Sequence, residues 1–177
     1  LAEYNAGFKQ DMRRFLKSDE GMISGAEFHV RRNTGSFGTI NYMANQDGFT
    51  LYDTVAYNYR HNEANGEDNR DGSEFNYSWN CGIEGATRKQ VIRKMREQQM
   101  RNAFLMLLLS QGTPMIYGGD EFANSQAGNN NAWCQDNAVG WTDWKNARRH
   151  TGLSSFVKEA IAFRKNHPIL HMPKEMR

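Results

Sequence analysis

Twice along this chain a short apolar, β-prone run gives way to a carboxylate, then to a long polar loop, then to a helix. Residues 39–44 lead to Asp47, a polar loop and a helix over 87–111; residues 113–117 lead to Asp120 and Glu121, a second polar loop and a helix over 153–166. Strands that alternate with crossover helices run parallel, because the crossover returns the chain to the same end of the sheet. Such sheets carry function in the loops beyond the carboxyl ends of their strands. Both acids fall there, so the alternation predicts an α/β fold with its working residues at one end.

The helices are marked by spacing. Phe8, Met12, Phe15 and Leu16 recur at i, i+4, i+7 and i+8 and predict an amphipathic helix from Gly7 to Lys17, ended near Gly21. Residues 24–39, rich in Gly, Ser, Thr and Arg, read as a loop. Thr87 and Gln90 have capping-box spacing at the start of the helix over 87–111, and Gly112 and Pro114 supply its stop. Its last turns, Phe104 to Leu109, are apolar all round, which predicts burial there against a sheet. Leu153, Phe156, Val157, Ala160, Ile161 and Phe163 mark the final helix, closed by Pro168.

Residues 58–85 are dense in Asn, Asp, Glu and Gly. A non-periodic stretch that long is either functional or disordered. Phe75, Tyr77 and Trp79 are the side chains expected to pin it. Asp53 reads as a cap or turn residue for the segment after it, and Asp120 and Glu121 as structural rather than chemical acids. His29, His150, His167 and His171 are expected to face solvent.

Composition excludes several classes of function. Basic and acidic side chains number 22 and 20, a net charge of +2 without a basic block, which argues against nucleic acid. No apolar run approaches the ~20 residues that span a bilayer, so no membrane segment is expected. The chain starts at Leu1 without a charged leader, so no signal peptide is expected, and a start on Leu suggests an excised piece. Two cysteines, Cys81 and Cys134, make no disulfide framework and lack metal-ligand spacing; free thiols fit a cytoplasmic setting. The glycines follow neither dinucleotide nor phosphate-loop spacing, and no triad is visible, so neither cofactor nor metal is expected.

Longer motifs occur in a telling order: Gln46-Asp47-Gly-Phe-Thr-Leu51, His61-Asn-Glu-Ala-Asn-Gly66, Asn69-Arg-Asp-Gly72, Ser78-Trp-Asn-Cys-Gly82, Leu107-Leu-Leu-Ser-Gln-Gly112, Pro114-Met-Ile-Tyr-Gly-Gly-Asp-Glu-Phe122 and Gly128-Asn-Asn-Asn-Ala-Trp-Cys-Gln-Asp-Asn137. Together they resemble the bacterial glycogen-debranching and isoamylase-type branch of the α-amylase family of glycoside hydrolases, over nearly the whole chain. The resemblance implies a partial (β/α)8 TIM barrel: residues 1–177 as a C-terminal piece, the last two to three strand–helix units with long polar loops. Even a small complete barrel takes about 200 residues. It also implies that the family's nucleophilic Asp and acid/base Glu sit on strands upstream of Leu1, and that the isolated chain does not hydrolyse glucans.

What remains is the family's third acid, which matches Asp47. In the family this carboxylate bonds the sugar's 2- and 3-hydroxyls, contacts that tighten as the ring flattens toward an oxocarbenium ion and so lower the barrier. Gly48 lets the backbone turn without a Cβ obstructing the sugar. The bland reading of Asp47 is a turn residue before glycine. One departure stands beside it: Gln46 occupies the position where the family usually carries His, and an amide can donate a hydrogen bond but lacks imidazole's titration. His61, Asn131 and Trp133 are further substrate-binding candidates. Amides can bond sugar hydroxyls and an indole can stack on a sugar face, or the loop's side chains can bond its own backbone. The implied partner is a branched α-glucan (glycogen, amylopectin or limit dextrin), cleaved at α-1,6 branch points with retention. The alternative is a non-catalytic glucan-binding or assembly fragment, self-associating through exposed barrel edges.

Overall fold

In the computed structural model, which describes residues 1–173 and 175, three parallel strands form one sheet in the order β1–β2–β3. They are β1 (Ala2–Tyr4), β2 (Gly38–Tyr42) and β3 (Thr113–Met115). Tyr4 pairs with Ile40 and Tyr42 with Met115, so β2 is central and the other two are edges. The predicted parallel α/β order is present. β1 gave no sequence signal because it has only three residues and exposes two of them.

Helices connect the strands. After β1 come α1 (Ala6–Leu16) and α2 (Ile23–Arg31); after β2 come the short α3 (Leu51–Thr54) and the long α4 (Gln90–Leu109); after β3 come α5 (Trp144–Arg149) and α6 (Thr151–Asn166). In α1 the Asn5 side chain caps the start by accepting from the Phe8 N–H, and Phe8 and Met12 reach the core. The core gathers these with Leu51, Val55, Met100, Phe104, Leu107, Leu108, Leu153 and Val157, so α1, α4 and α6 all pack on it.

Several expectations are corrected. Residues 24–39 do not form one loop, because α2 occupies most of the first half. Its inward residues, Met22, Ala26, His29 and the partly buried Val30, hold helical spacing, but a histidine and an alanine hid the period. His29 therefore does not face solvent; it is 5% exposed, with Nε2 3.1 Å from an Asp11 carboxylate oxygen. The Thr87–Gln90 capping box does not form. Helix α4 starts three residues later with Lys89 as its cap, and Thr87 Oγ1 accepts from the Lys89 N–H instead. The last turns of α4 are not buried on every face, since Leu105 is 36% exposed.

Two buried arginines fasten the ends of α4 to their surroundings. Arg164 of α6 donates to the carbonyls of Leu108, Ser110 and Gly112 at 2.6–2.7 Å, satisfying the carbonyls that α4's end leaves without partners. Arg96 of α4 donates to the carbonyls of Gly85 and Asn80, at 2.7 and 3.0 Å, and to Ile83, tying down the end of the long loop. A row of buried amides crosses the sheet: Asn5 Nδ2 donates to Asn41 Oδ1 at 2.8 Å, and Asn41 Nδ2 to the Gln111 carbonyl at 2.7 Å. Among the described residues, no helix is long and apolar enough to cross a membrane.

Candidate functional site

Beyond the carboxyl end of β2, the buried run Tyr42–Asn45 gives way to Gln46 and Asp47, both exposed, and Phe49 is buried again. Gly48 makes that reversal with φ +110°, and no atom lies within 4 Å of where its Cβ would stand. The Asp47 carboxylate makes no hydrogen bond or ion pair among the described residues. Beside it stand Lys9 and Tyr42, with the Lys9 ammonium 5.6 Å from the Tyr42 ring centroid. Burial and the charge of Arg13 lower the Lys9 pKa, and Asp47 works the other way. Neither Lys9 nor Tyr42 stood out in the sequence, and only the i+4 position of Lys9 after the α1 cap could have placed it near the sheet's mouth.

The loops over 58–85 and 124–137 form the wall next to this turn. His61 donates its backbone N–H to the Gly128 carbonyl at 2.7 Å, and its Nε2 lies 3.2 Å from Glu84 Oε1. Glu84 also accepts from the backbone of Asn58 and Tyr59 and from Asn80 Nδ2. Burial alone would raise its pKa, but these bonds hold it below the usual carboxylate range. Gly128 is required here, because a Cβ at its φ of +79° would stand 2.7 Å from the Tyr57 ring and 2.8 Å from His61.

Asn131 donates through Nδ2 to Asp71 Oδ2 at 2.8 Å, and its carbonyl accepts from Asn65 Nδ2 at 3.0 Å. Bonds from Asn65 and Asn131 lower the Asp71 pKa. Trp133 sits on a single 3-10 turn and is 84% exposed. Two of the three aromatics expected to pin the long loop do not do so: Phe75 is 69% exposed and Trp79 is exposed, whereas Tyr77 is half-buried. Amides do it instead, because a chain this poor in apolar groups can order itself only by pairing its polar ones.

Two of the remaining acids, Asp53 and Asp120, face inward. Asp53 is fully buried and does not merely cap or turn its neighbours: it accepts from Ser125 Oγ at 2.5 Å and the Gln126 N–H at 2.8 Å, across to the other polar loop. Burial pushes its carboxyl up to about 6 against those bonds. Asp120 accepts from the Leu51 N–H at 2.9 Å, and burial pushes it up to about 7 against that bond and the charge of Arg13. Among the described residues, no group of three or more His, Cys, Asp or Glu side chains could hold a metal ion. A cleft of about 1050 Å³ lies away from Asp47, between α4 and the segment entering α5, lined by Tyr57, Arg93, Glu97, Trp141 and Arg149.

Known proteins were compared with the chain. No model of a protein family matches it. The glycogen debranching enzyme of Dickeya chrysanthemi is 42% identical over 96% of this chain. The glycogen operon protein GlgX homolog of Mycobacterium tuberculosis is 42% identical over 94% of it, and the chloroplastic isoamylase 3 of Oryza sativa 40% over 96%. The chain belongs to the glycogen-debranching and isoamylase-type branch of the α-amylase family. It spans only 27%, 24% and 23% of the lengths of these three debranching-type relatives. Its fold is also that of part of the pullulanases. The Bacillus acidopullulyticus enzyme aligns with a TM-score of 0.70 at 19% identity over 97% of this chain and 19% of its own. The Paenibacillus barengoltzii pullulanase, solved with maltohexaose and α-cyclodextrin, aligns at 0.69 and 20% identity over 98% of this chain and 25% of its own.

Proposed function

We propose that the chain is the sugar-gripping part of a debranching glycoside hydrolase: residues 1–177 as one C-terminal barrel piece, the last two to three strand–helix units of a (β/α)8 barrel. One observation carries the reading. Asp47 stands exposed and unpaired just beyond the central strand, in a chain 42% identical to a glycogen debranching enzyme. A carboxylate so placed can accept from two vicinal sugar hydroxyls and offset positive charge on a flattening ring. Gln46 lends a donor beside it, His61 and Asn131 present polar edges along the loop wall, and Trp133 offers an open indole face. The substrate is an α-1,6 branch point in glycogen, amylopectin or a limit dextrin. The nucleophile and acid/base, which retention needs ~5–5.5 Å apart, come from outside these residues. The free thiols of Cys81 and Cys134 support a cytoplasmic setting.

The test is titration with a maltooligosaccharide carrying one α-1,6 branch, followed through backbone amide resonances. Gln46, Asp47 and Gly48 should shift, the shifts should vanish in Asp47→Ala, and glycogen should yield no linear chains. A ligand that binds without disturbing 46–48 sinks the reading, as does turnover by this chain alone. A second reading, assembly, is favoured by the strand order, which leaves β1 and β3 with unpaired edges. A concentration-independent monomer in size-exclusion chromatography removes it.

A further inference from the structure

The turn that carries Asp47 is held entirely through its backbone, and the bonds that hold it converge on buried amides from the two polar loops. Arg13 of α1, buried, donates through Nε to the Met43 carbonyl at 2.7 Å and through Nη2 to the Phe49 carbonyl at 3.1 Å, one residue on each side of the exposed turn and its flanks. Its third donor, Nη1, goes to the Asn76 carbonyl at 3.0 Å. The Gly48 N–H, directly after Asp47, donates to the Asn130 carbonyl at 3.0 Å.

Asn130 is fixed from every side. Its Nδ2 donates to Asn76 Oδ1 at 2.8 Å and to the Ser73 carbonyl at 2.7 Å. Asn62 Nδ2 donates to Asn130 Oδ1 at 2.8 Å, and the Asn130 N–H returns a bond to Asn62 Oδ1 at 2.9 Å. Asn62, Asn76 and Asn130 are all buried. Space is also closed around them, since a Cβ on Gly72 would stand 2.2 Å from Asn130 Oδ1 and 2.8 Å from Asn62 Nδ2.

We infer that Asn76 and Asn130 are positioning residues for Asp47: through Arg13 on one side and the Gly48 amide on the other, they fix where its carboxylate meets a sugar ring. Asn76 is the junction, because its side chain holds Asn130 while its carbonyl holds Arg13. The inference rests on the reading of Asp47 as a sugar contact and explains why the long loop over 58–85 is ordered. A buried network in which Asn62 and Asn130 each bond through both side-chain polar atoms selects one geometry, whereas the same turn held only by solvent would sample many. Contacts that tighten in the transition state need that fixed geometry.

Three variants of this chain separate positioning from mere stability. Asn130→Asp keeps the shape but cannot donate to Asn76 and Ser73. Asn76→Leu removes the acceptor. Asn76→Asp restores an acceptor at Oδ1, and Asn76 Nδ2 makes no hydrogen bond among the described residues, so nothing recorded is lost. The readouts are amide hydrogen exchange at Gly48, exchange at Phe104 in the core of α4, and the response of 46–48 to the branched maltooligosaccharide.

Asn130→Asp and Asn76→Leu should each speed Gly48 exchange about tenfold or more while Phe104 changes less than about twofold, and should weaken the sugar response. Asn76→Asp should restore both. Gly48 exchange that stays unchanged, or that rises only in step with Phe104 in both damaging variants, overturns the inference. If Gly48 opens as expected but the wild-type turn ignores the sugar, the clamp stands and the glucan reading of Asp47 falls. If the sugar is bound at 46–48 and Gly48 does not respond to the variants, the clamp alone falls.

Discussion

Asp47 and Asp120 each lie five residues beyond the last residue of their strand, β2 and β3, and yet one faces out and the other in. The difference is where the glycine falls. In the first unit Gly48, with φ +110°, comes after the acid, so Asp47 is still on the outward side when the chain reverses and Phe49 is the residue carried into the core. In the second unit Gly119, with φ +104°, comes before the acid; the reversal has already happened and Asp120 is delivered inward, onto the Leu51 N–H. A Cβ on Gly119 would stand 2.7 Å from the Asn124 side chain, so no other residue can make that second turn unchanged. The phase of a glycine turn relative to a carboxylate therefore decides whether the acid faces outward or onto the scaffold. The same strand–acid–loop–helix pattern supplies both.

The largest effect is expected at Arg13, whose bonds hold the first unit at Met43, Phe49 and Asn76 and whose charge acts on Asp120 of the second. Arg13→Met leaves three buried carbonyls without donors, and urea unfolding should show a loss of ~3–5 kcal/mol. The two acids should then separate cleanly. Asp120→Ala strips the Leu51 amide and should cost about 2–3 kcal/mol near pH 5. Asp47→Ala, at an exposed and unpaired position, should stay within about 0.5 kcal/mol. Equal costs at the two positions break the comparison.

The buried acids also set the pH dependence of the fold. Asp53 and Asp120 have folded pKa values raised to about 6 and about 7, against an ordinary 3.8. The folded state therefore holds their protons more tightly than the unfolded chain does. Folding is helped at low pH, and that help drains away as pH rises through each folded value. These two acids alone should remove about 5 kcal/mol between roughly pH 4.5 and pH 8, offset in part by His29 and His150, whose pKa values burial lowers, so that they favour the folded state as pH rises. Asp53→Asn should flatten the lower part of the decline, and the cost of Asp120→Ala should shrink toward pH 8, because the wild type then carries a buried charge that the variant lacks. An Asp53→Asn variant whose decline matches that of the wild type contradicts the inward placement of Asp53.

Much of the frame was legible in the sequence because periodicity reports burial. The apolar stripes of α1, α4 and α6 and the β-prone runs of β2 and β3 all mark surfaces that must leave water. Elements that bury little, or bury unusual residues, were not legible. β1 has three residues, α5 buries none, and α2 packs through His29 and Ala26 where a periodic reading looks for leucine or valine. At the site, the alternation of strand and acid put Asp47 beyond β2, where it lies, but nothing local announced that Asp53 reaches Ser125, or that Asn62, Asn76 and Asn130 meet. Those pairings join residues more than fifty positions apart, and an asparagine's partners follow from the fold rather than from its neighbours in the chain.

The smallest expected effect tests the outward unit by itself. Gln46 is exposed, so Gln46→His should leave the unfolding midpoint unchanged, within about 0.5 kcal/mol. Its effect should appear only toward sugar. An imidazolium beside the Asp47 carboxylate donates a charge-assisted bond where the amide donates a neutral one, and such bonds are roughly twice as strong. Affinity for the branched maltooligosaccharide should therefore rise by about 1 kcal/mol at pH 5.5, and the gain should fade as the ring loses its proton near its ordinary pKa of about 6.5. Isothermal titration at two pH values reads both. If the substitution instead shifts the unfolding midpoint by several degrees, the turn around Asp47 is coupled to the core after all, and the contrast between an outward acid free for substrate and an inward acid spent on structure fails at its first member.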